Sequence, residues 1–265
     1  MDLARGLVLA MCVGLASETS AQVEQRVVDI PSRAGVTQRI LLVSPPDPKA
    51  AVILFAGGDG GLQIAADGSM ASGKGNFLVR TRESFAAKSL RVAVIDAPSD
   101  HQHHPFLGGF RQTPEHATDV KAVIAWLRER SNAPVWLVGT SRGTQSAAFV
   151  ATSLDRGDGP DGLVLTSSVL RDPRSRAVPD MPLDKLRIPV LVVHHELDDC
   201  KVCAFRDVGS LMEKLDPVPV KALLTFKGGR SVGDPCEAFA YHGYNGIEEE
   251  VVGKIAAWIL AHGKP

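Results

Sequence analysis

Short, continuously apolar segments alternate along the chain with segments whose apolar residues recur every three or four positions. A short apolar run bounded by glycine or proline is typical of a strand that is buried on both faces. Such runs occur at AAVILFAGG, RVAVIDAP, PVWLVG, GLVLTSS and IPVLVVHH, and less clearly at VKALLTF. Two earlier strands are predicted at EQRVVDI and TQRILLVSP, with a turn at PSRAG between them.

The intervening segments carry the spacing of amphipathic helices. In PEHATDVKAVIAWLRER one face carries an apolar stripe of Val120, Val123, Ile124 and Leu127. Thr113 is suited to the N-cap and Pro114 to the first helical position. Further helices are predicted at NFLVRTRESFAAKSL, RGTQSAAFVATSL and IEEEVVGKIAAWIL. This alternation predicts an α/β protein with a mostly parallel, doubly wound sheet of about eight strands and helices on both faces.

Length and charge narrow the picture. The chain has 265 residues and a formal net charge of -1, without long runs of one sign. This balance gives no electrostatic reason to expect binding to nucleic acid or to an anionic membrane. No repeat or linker divides the sequence, so residues 22–265 are predicted to form one domain. The irregular segment Leu170–Arg187 is too short for a second domain, which predicts little or no lid.

The first 21 residues have the pattern of a secretory signal peptide. Arg5 precedes an apolar core from Gly6 to Ala16, and Thr19-Ser20-Ala21 offers the small residues that a signal peptidase accepts. The apolar core is too short to span a bilayer comfortably. We therefore expect an exported protein, periplasmic or secreted, with no stable membrane insertion after cleavage. The alternative is a buried N-terminal helix.

One serine stands at a position suited to nucleophilic catalysis. In VWLVGTSRGTQSAA, Ser141 lies between Gly139 and Gly143, where a predicted buried strand meets a predicted helix. A sharp turn at that point exposes the hydroxyl and directs the backbone N–H groups of the helix start toward the reacting oxygen. The alternative is an ordinary glycine-rich turn, but the strand before it and the small-residue helix after it favour a nucleophile.

From these residues the chain resembles the α/β-hydrolase family, over nearly all of the sequence from Val23 to Lys264. The resemblance implies that an acid and then a histidine follow Ser141 in chain order, each on a loop after a strand. It favours Asp198, in the segment HHELDDC, as the acid. Asp199 is a close rival, and Asp172, after the preceding strand, is a third candidate.

The same resemblance places the base before the last helix. His242, in AYHGYNGIEEEVV, occupies that position and is the only histidine between the acid loop and His262. A disulfide from Cys200 to Cys236 would then join the loop of the acid to the loop of the base. Cys203 remains an alternative partner in that bridge, and the CKVC spacing alone has no redox or zinc context.

The oxyanion formed during acyl transfer needs two N–H donors. The resemblance implies the backbone of Arg142 as one donor, and Gly58 or Asp59, in the glycine-rich turn after AVILF, as the other. No metal or organic cofactor is required. The expected activity is hydrolysis of carboxylic esters of small or medium substrates, with amides, peptides and thioesters as alternatives. A hydrolase-fold protein that binds a small-molecule ligand without catalysis is the rival from another class.

For three further sequence patterns, a structural role is favoured over nucleotide or metal binding. GSMASGKG, Gly68 to Gly75, nearly matches a phosphate-binding loop but lacks the hydroxyl that binds magnesium, so a surface loop is predicted. The histidines of DAPSDHQHHPF fit no common zinc spacing, although their loop follows a strand and could reach the substrate pocket. His116 continues a buried helix face and is interpreted as a packing residue. The three histidines are His101, His103 and His104.

Overall fold

The computed structural model describes residues 23–263, which form eight strands in a single sheet. The predicted signal peptide at residues 1–21 therefore lies outside the described residues. The strands are β1 (Glu24–Arg33), β2 (Val36–Ser44), β3 (Ala50–Phe55), β4 (Leu90–Ile95), β5 (Val135–Thr140), β6 (Gly162–Thr166), β7 (Val190–His195) and β8 (Lys221–Phe226).

The strand order is β1-β2-β4-β3-β5-β6-β7-β8. The β1–β2 and β2–β4 pairs are antiparallel, whereas the pairs from β4–β3 to β7–β8 are parallel. The predicted fold class is confirmed. Because the central strands are parallel, the loops that follow β3, β5, β6 and β7 all emerge at one edge of the sheet.

Helices cover both faces of this sheet. They are α1 (Phe77–Arg80), α2 (Arg82–Ala86), α3 (Pro114–Arg128), α4 (Gly143–Ser153), α5 (Val208–Lys214) and α6 (Glu248–His262). Residues of α3, α4 and α5 enter one hydrophobic cluster, and residues of α1, α2 and α6 enter a second one on the opposite face. The amide of His116 donates to Thr113 Oγ1 at 3.2 Å, so the predicted N-cap of α3 is present.

Two predicted boundaries were wrong. The segment NFLVRTRESFAAKSL forms two short helices rather than one, and they meet at Thr81, whose hydroxyl donates to the Phe77 carbonyl at 2.7 Å. Such back-bonding competes with regular helix geometry. Strand β1 also continues to Arg33, through residues that the composition assigned to a turn, with an irregularity in its register after Pro31.

The segment Leu170–Arg187 does not cover the carboxyl edge as a lid. Its apolar side chains Val178, Met181, Leu183 and Leu186 are buried in the same cluster as α4 and α5. The segment therefore extends the core beside the sheet, as expected for a fold with little or no lid. Among residues 23–263, no helix has the length and apolar character needed to cross a membrane.

Candidate active site

Ser141 occupies the sharp turn between β5 and α4. Its φ angle of 52° lies in the left-handed region, and its amide donates to the Thr166 carbonyl at 3.1 Å. The flanking glycines permit this turn: a Cβ on Gly139 would lie 2.5 Å from the Gly143 carbonyl oxygen, and one on Gly143 would overlap the carbonyl oxygen of Phe55. The glycines are thus needed because the strand and the helix cross so closely.

Asp198 and His242 form a buried pair at the same edge of the sheet. His242 Nδ1 lies 2.8 Å from Asp198 Oδ2, and the two side chains are 5% and 0% exposed. Asp198 follows β7, and His242 precedes α6. His194 Nε2 lies 3.4 Å from the same carboxylate oxygen, and the Cys200 amide donates to Oδ1 at 3.0 Å. Asp198 therefore has partners on both oxygens.

These contacts keep Asp198 ionised. Burial alone would raise the pKa of the carboxyl, but the hydrogen bonds from His194 and His242 outweigh burial and lower it from 3.8 to about 2. A carboxylate in this position fixes the orientation and tautomer of the histidine that it contacts.

The other ring nitrogen of His242 is free to act on a ligand. His242 Nε2 is buried and has no hydrogen-bond partner among the described residues. His242 and Ser141 line the same cavity of about 370 Å³. No hydrogen bond joins Ser141 Oγ to Nε2 in residues 23–263. Such bonds are often long without substrate and tighten in the substrate complex.

The structure separates the three acid candidates. Asp199 Oδ1 lies 2.5 Å from Arg206, and both of these side chains are largely exposed. Asp172 Oδ2 lies 2.7 Å from Arg142 Nη1 and also binds Gln145. Among Asp172, Asp198 and Asp199, only Asp198 contacts the imidazole of His242.

Buried contacts that the sequence did not reveal hold the base loop in place. The hydroxyl of Tyr244 donates to the Val193 carbonyl at 2.9 Å and accepts from the Ser167 amide at 3.2 Å. Ser167 Oγ in turn donates to the carbonyl of His242 at 2.7 Å. Burial raises the pKa of Tyr244, so the hydroxyl stays protonated and can donate. His242 is thereby fixed against strands β6 and β7.

The loop after β3 passes directly against the serine. A Cβ on Gly57 would lie 3.0 Å from Ser141 Cβ, and Gly58 and Asp59 line the cavity beside it. Asp96, at the end of β4, anchors the following stretch because it accepts from the amides of Leu62, Gln63 and Ile64. The Arg142 amide, like other amides at the start of a helix, takes part in no hydrogen bond with a described residue.

Arg111 is the clearest residue that sequence reasoning missed. Its guanidinium donates to the carbonyls of Ala56 and Gly58 at 3.1 Å each and to Ser146 Oγ at 2.9 Å. The residue is 6% exposed, and no carboxylate of residues 23–263 pairs with it. Burial, with a smaller effect of Arg142, lowers the pKa of Arg111 to about 9. The buried guanidinium of Arg111 therefore anchors the loop of Ala56 and Gly58, which passes against Ser141.

The cysteines pair as favoured from the sequence. Cys200 and Cys236 form a disulfide that joins the acid loop to the base loop. Cys203 is free and fully buried. Its Sγ, the Cys200 Sγ and a ring nitrogen of His242 all lie within 4.8 Å of one another. Burial, followed by the charge of Asp198, raises the pKa of the Cys203 thiol, which adjoins the hydroxyl of Ser141.

Two further sequence patterns, the segment Gly68–Gly75 and His116, can be compared with the structure. Gly68–Gly75 is a loop, and its Ser72, Gly73 and Gly75 form one wall of the Ser141 cavity. His116 is buried against Phe55 and Phe110, which confirms its packing role, and burial lowers its pKa to about 3.

The histidine loop reaches a different cavity. His104 lines a neighbouring space of about 750 Å³, together with Arg142 and Arg174. Gly58 and Asp59 border both cavities. The loop of the three histidines therefore lies beside the Ser141 cavity, not in its wall.

Comparison with solved structures identifies the α/β-hydrolase fold. A dienelactone hydrolase from Anabaena variabilis aligns with a TM-score of 0.63 and 13% identity, covering 92% of this chain and all of that chain. An esterase from Pyrococcus furiosus gives a TM-score of 0.65 at 12% identity, covering 96% and 97% of the two chains. Carboxyl esterase 2 from Tuber melanosporum gives 0.65 at 14% identity, covering 93% and 90%. The resemblance inferred from the sequence is confirmed at the level of the fold.

Comparison at the level of sequence gives no such match. No family model matches the chain, and no curated protein does so either.

Proposed function

We propose that this protein is a serine hydrolase that cleaves carboxylic esters of small or medium size. The observation that carries the proposal is the buried His242–Asp198 pair, at 2.8 Å. His242 lines the same cavity as Ser141, and its Nε2 has no hydrogen-bond partner among the described residues. The names of the structural relatives, hydrolases and esterases, agree with this chemistry.

The reaction follows from the proposed roles. Ser141 Oγ attacks the ester carbonyl, and His242 Nε2 accepts its proton, while Asp198 stabilises the imidazolium that forms. The N–H of Arg142 and an N–H of Gly58 or Asp59 stabilise the oxyanion. His242 then returns the proton to the departing alcohol. A water molecule, deprotonated by His242, attacks the acyl-enzyme and releases the acid and the free serine.

Labelling with a fluorophosphonate probe tests the nucleophile. The wild-type protein is expected to be labelled at Ser141, whereas Ser141→Ala and His242→Ala are not. Ser72→Ala is the matched control, because Ser72 lines the same cavity but has no proposed role. A folded wild-type protein that neither this probe nor a smaller acylating probe labels would overturn the proposal in favour of a ligand-binding protein.

Substrate preference is tested with matched esters, amides and thioesters that share one acyl group. The ester is expected to be cleaved faster than the matched amide, because resonance with nitrogen makes an amide carbonyl less electrophilic. The Ser141 cavity of about 370 Å³ suits acyl groups of small or medium size. A higher kcat/KM for the amide or the thioester would redirect the proposal to an amidase or a thioesterase.

We also propose that the protein is exported. The apolar segment before Thr19-Ser20-Ala21 and the Cys200–Cys236 disulfide support this, since disulfides persist in oxidising compartments. Expression of the full chain in a bacterium, followed by fractionation and mass analysis, is expected to give a protein that starts at Gln22 outside the cytoplasm. A cytoplasmic protein that still carries the segment before Gln22 would contradict export.

A further inference from the structure

Three cysteines and the candidate catalytic histidine converge at one point. Cys200, Cys203 and His242 are each at least 96% buried, and their ligand atoms lie within 4.8 Å of one another. Cys236 is bonded to Cys200 and lines the cavity that opens to solvent. We propose that reduction of the Cys200–Cys236 disulfide converts this point into a binding site for a thiophilic divalent cation of the zinc type, held by Cys200, Cys203, Cys236 and His242.

The donor set fits the chemistry of zinc. Structural zinc sites use four cysteine or histidine ligands, commonly with a C-x₂-C pair, and Cys200-Lys201-Val202-Cys203 has that spacing. Tetrahedral bonds of about 2.3 Å place two sulfur ligands about 3.8 Å apart. The present separations of no more than 4.8 Å can therefore close by small side-chain movements, without a change of fold.

The surroundings of His242 fit a metal ligand as well. Its Nδ1 is engaged by Asp198 at 2.8 Å, so Nε2, which has no partner among the described residues, is the nitrogen available for a cation. A carboxylate on the far side of a ligating imidazole is the usual support of such a ligand. The cavity shared by Cys236 and His242 provides an entry path.

The redox state of Cys200 and Cys236 explains why the oxidised protein would not bind the cation. In the disulfide, Cys200 and Cys236 carry no thiolate. A dithiol or phosphine reductant supplies two electrons, the S–S bond breaks, and the two sulfurs take up two protons. The cation then displaces the protons of the three thiols into solvent.

Binding would also stop the proposed hydrolysis, because Nε2 could no longer accept the proton of Ser141. This consequence rests on the proposed function, whereas the metal site itself does not. The site is therefore tested by spectroscopy rather than by activity.

Cobalt(II) is the probe, since a tetrahedral thiolate site gives it intense visible bands and a sulfur-to-metal charge-transfer band. The full-length folded protein is reduced with a phosphine, freed of reductant without air, and titrated. We expect one cobalt per chain in the reduced protein, displaced by zinc, and no thiolate band in the oxidised protein. The reduced Cys203→Ser variant, which keeps the native disulfide before reduction, is expected to bind at least about 100-fold more weakly. Cys236→Ser has no disulfide to open but lacks one of the four ligands, so it is expected to bind cobalt without reduction and more weakly than the reduced wild type.

Several results would overturn the inference. These are a reduced, folded wild-type protein without the charge-transfer band, a Cys203→Ser variant that binds as tightly as the wild type, or a reduced chain that has lost its far-ultraviolet circular dichroism. Loss of the circular dichroism counts against the inference because the four ligands come together only in the folded chain. The functional test is an assay of ester hydrolysis with added zinc, which is expected to inhibit the reduced protein and not the oxidised protein. Its failure alongside positive cobalt spectra would contradict the catalytic role of His242 and leave the site intact.

Discussion

The buried carboxylate of Asp198 gives a stability prediction that does not depend on any activity. Replacing Asp198 by Asn keeps the size of the side chain and removes its charge. In the wild-type protein the hydrogen bonds from His194 and His242 lower the pKa of Asp198 from 3.8 to about 2. The free energy of unfolding must therefore contain a pH-dependent contribution that the Asn variant lacks.

The sign follows from the direction of the pKa change. Because the folded pKa is the lower one, the stabilisation is complete above the unfolded value of 3.8 and is lost as the pH falls through about 2. Its full size is about 2 kcal/mol, from about 1.36 kcal/mol for each pH unit between the two pKa values. About half of that contribution is lost at pH 3.

Urea denaturation at pH 6, 4 and 3 measures this contribution. The difference in unfolding free energy between the wild type and Asp198→Asn is expected to shrink by about 1 kcal/mol from pH 6 to pH 3. Asp199→Asn is the matched control, because Asp199 is exposed and, within residues 23–263, pairs only with Arg206. The difference for this variant should change by less than about 0.5 kcal/mol. A difference for Asp198→Asn that is equal at all three pH values would refute the reasoning.

Three further predictions concern residues that support the site: the disulfide, Arg111 and Gly143. Cys236→Ser opens a bridge with a sequence separation of 36, so the unfolding free energy in urea should fall by about 3.8 kcal/mol; an unchanged midpoint would contradict this. Arg111→Met should lower kcat about 100-fold with a smaller change in KM, because the loop facing the serine loses its support; an equal rise in KM would instead indicate lost binding. Gly143→Ala places a Cβ over the Phe55 carbonyl oxygen and should cost at least about 2 kcal/mol. Gly209→Ala, a helical position with nothing within 4 Å, should be neutral or gain up to about 1 kcal/mol.

The sequence was most informative where a local pattern decides the structure. The apolar runs predicted the central strands, because a strand covered on both faces must be apolar throughout. The Thr113–Pro114 pair predicted the start of α3, and the two glycines around Ser141 predicted the strand-to-helix turn. Each of these features depends on neighbours within a few positions along the chain.

Features that depend on distant contacts could not be predicted in this way. Nothing near Arg111 in the sequence indicates that its guanidinium binds the carbonyls of Ala56 and Gly58. The second partner of Asp198, His194, and the contact from Tyr244 to Val193 are likewise visible only in three dimensions. The break at Thr81 was missed because a hydroxyl that bonds back to its own helix leaves the apolar spacing unchanged.

The left-handed backbone of Ser141, with its φ angle of 52°, bears on how this chain can evolve. A residue with a Cβ costs about 1 kcal/mol or more in that region, and glycine adopts it freely. Ser141→Gly would thus be the more stable protein, and it would lack the hydroxyl. Stability and chemistry select for different residues at this one position. A lineage released from the proposed reaction would gain stability by drifting to glycine at residue 141.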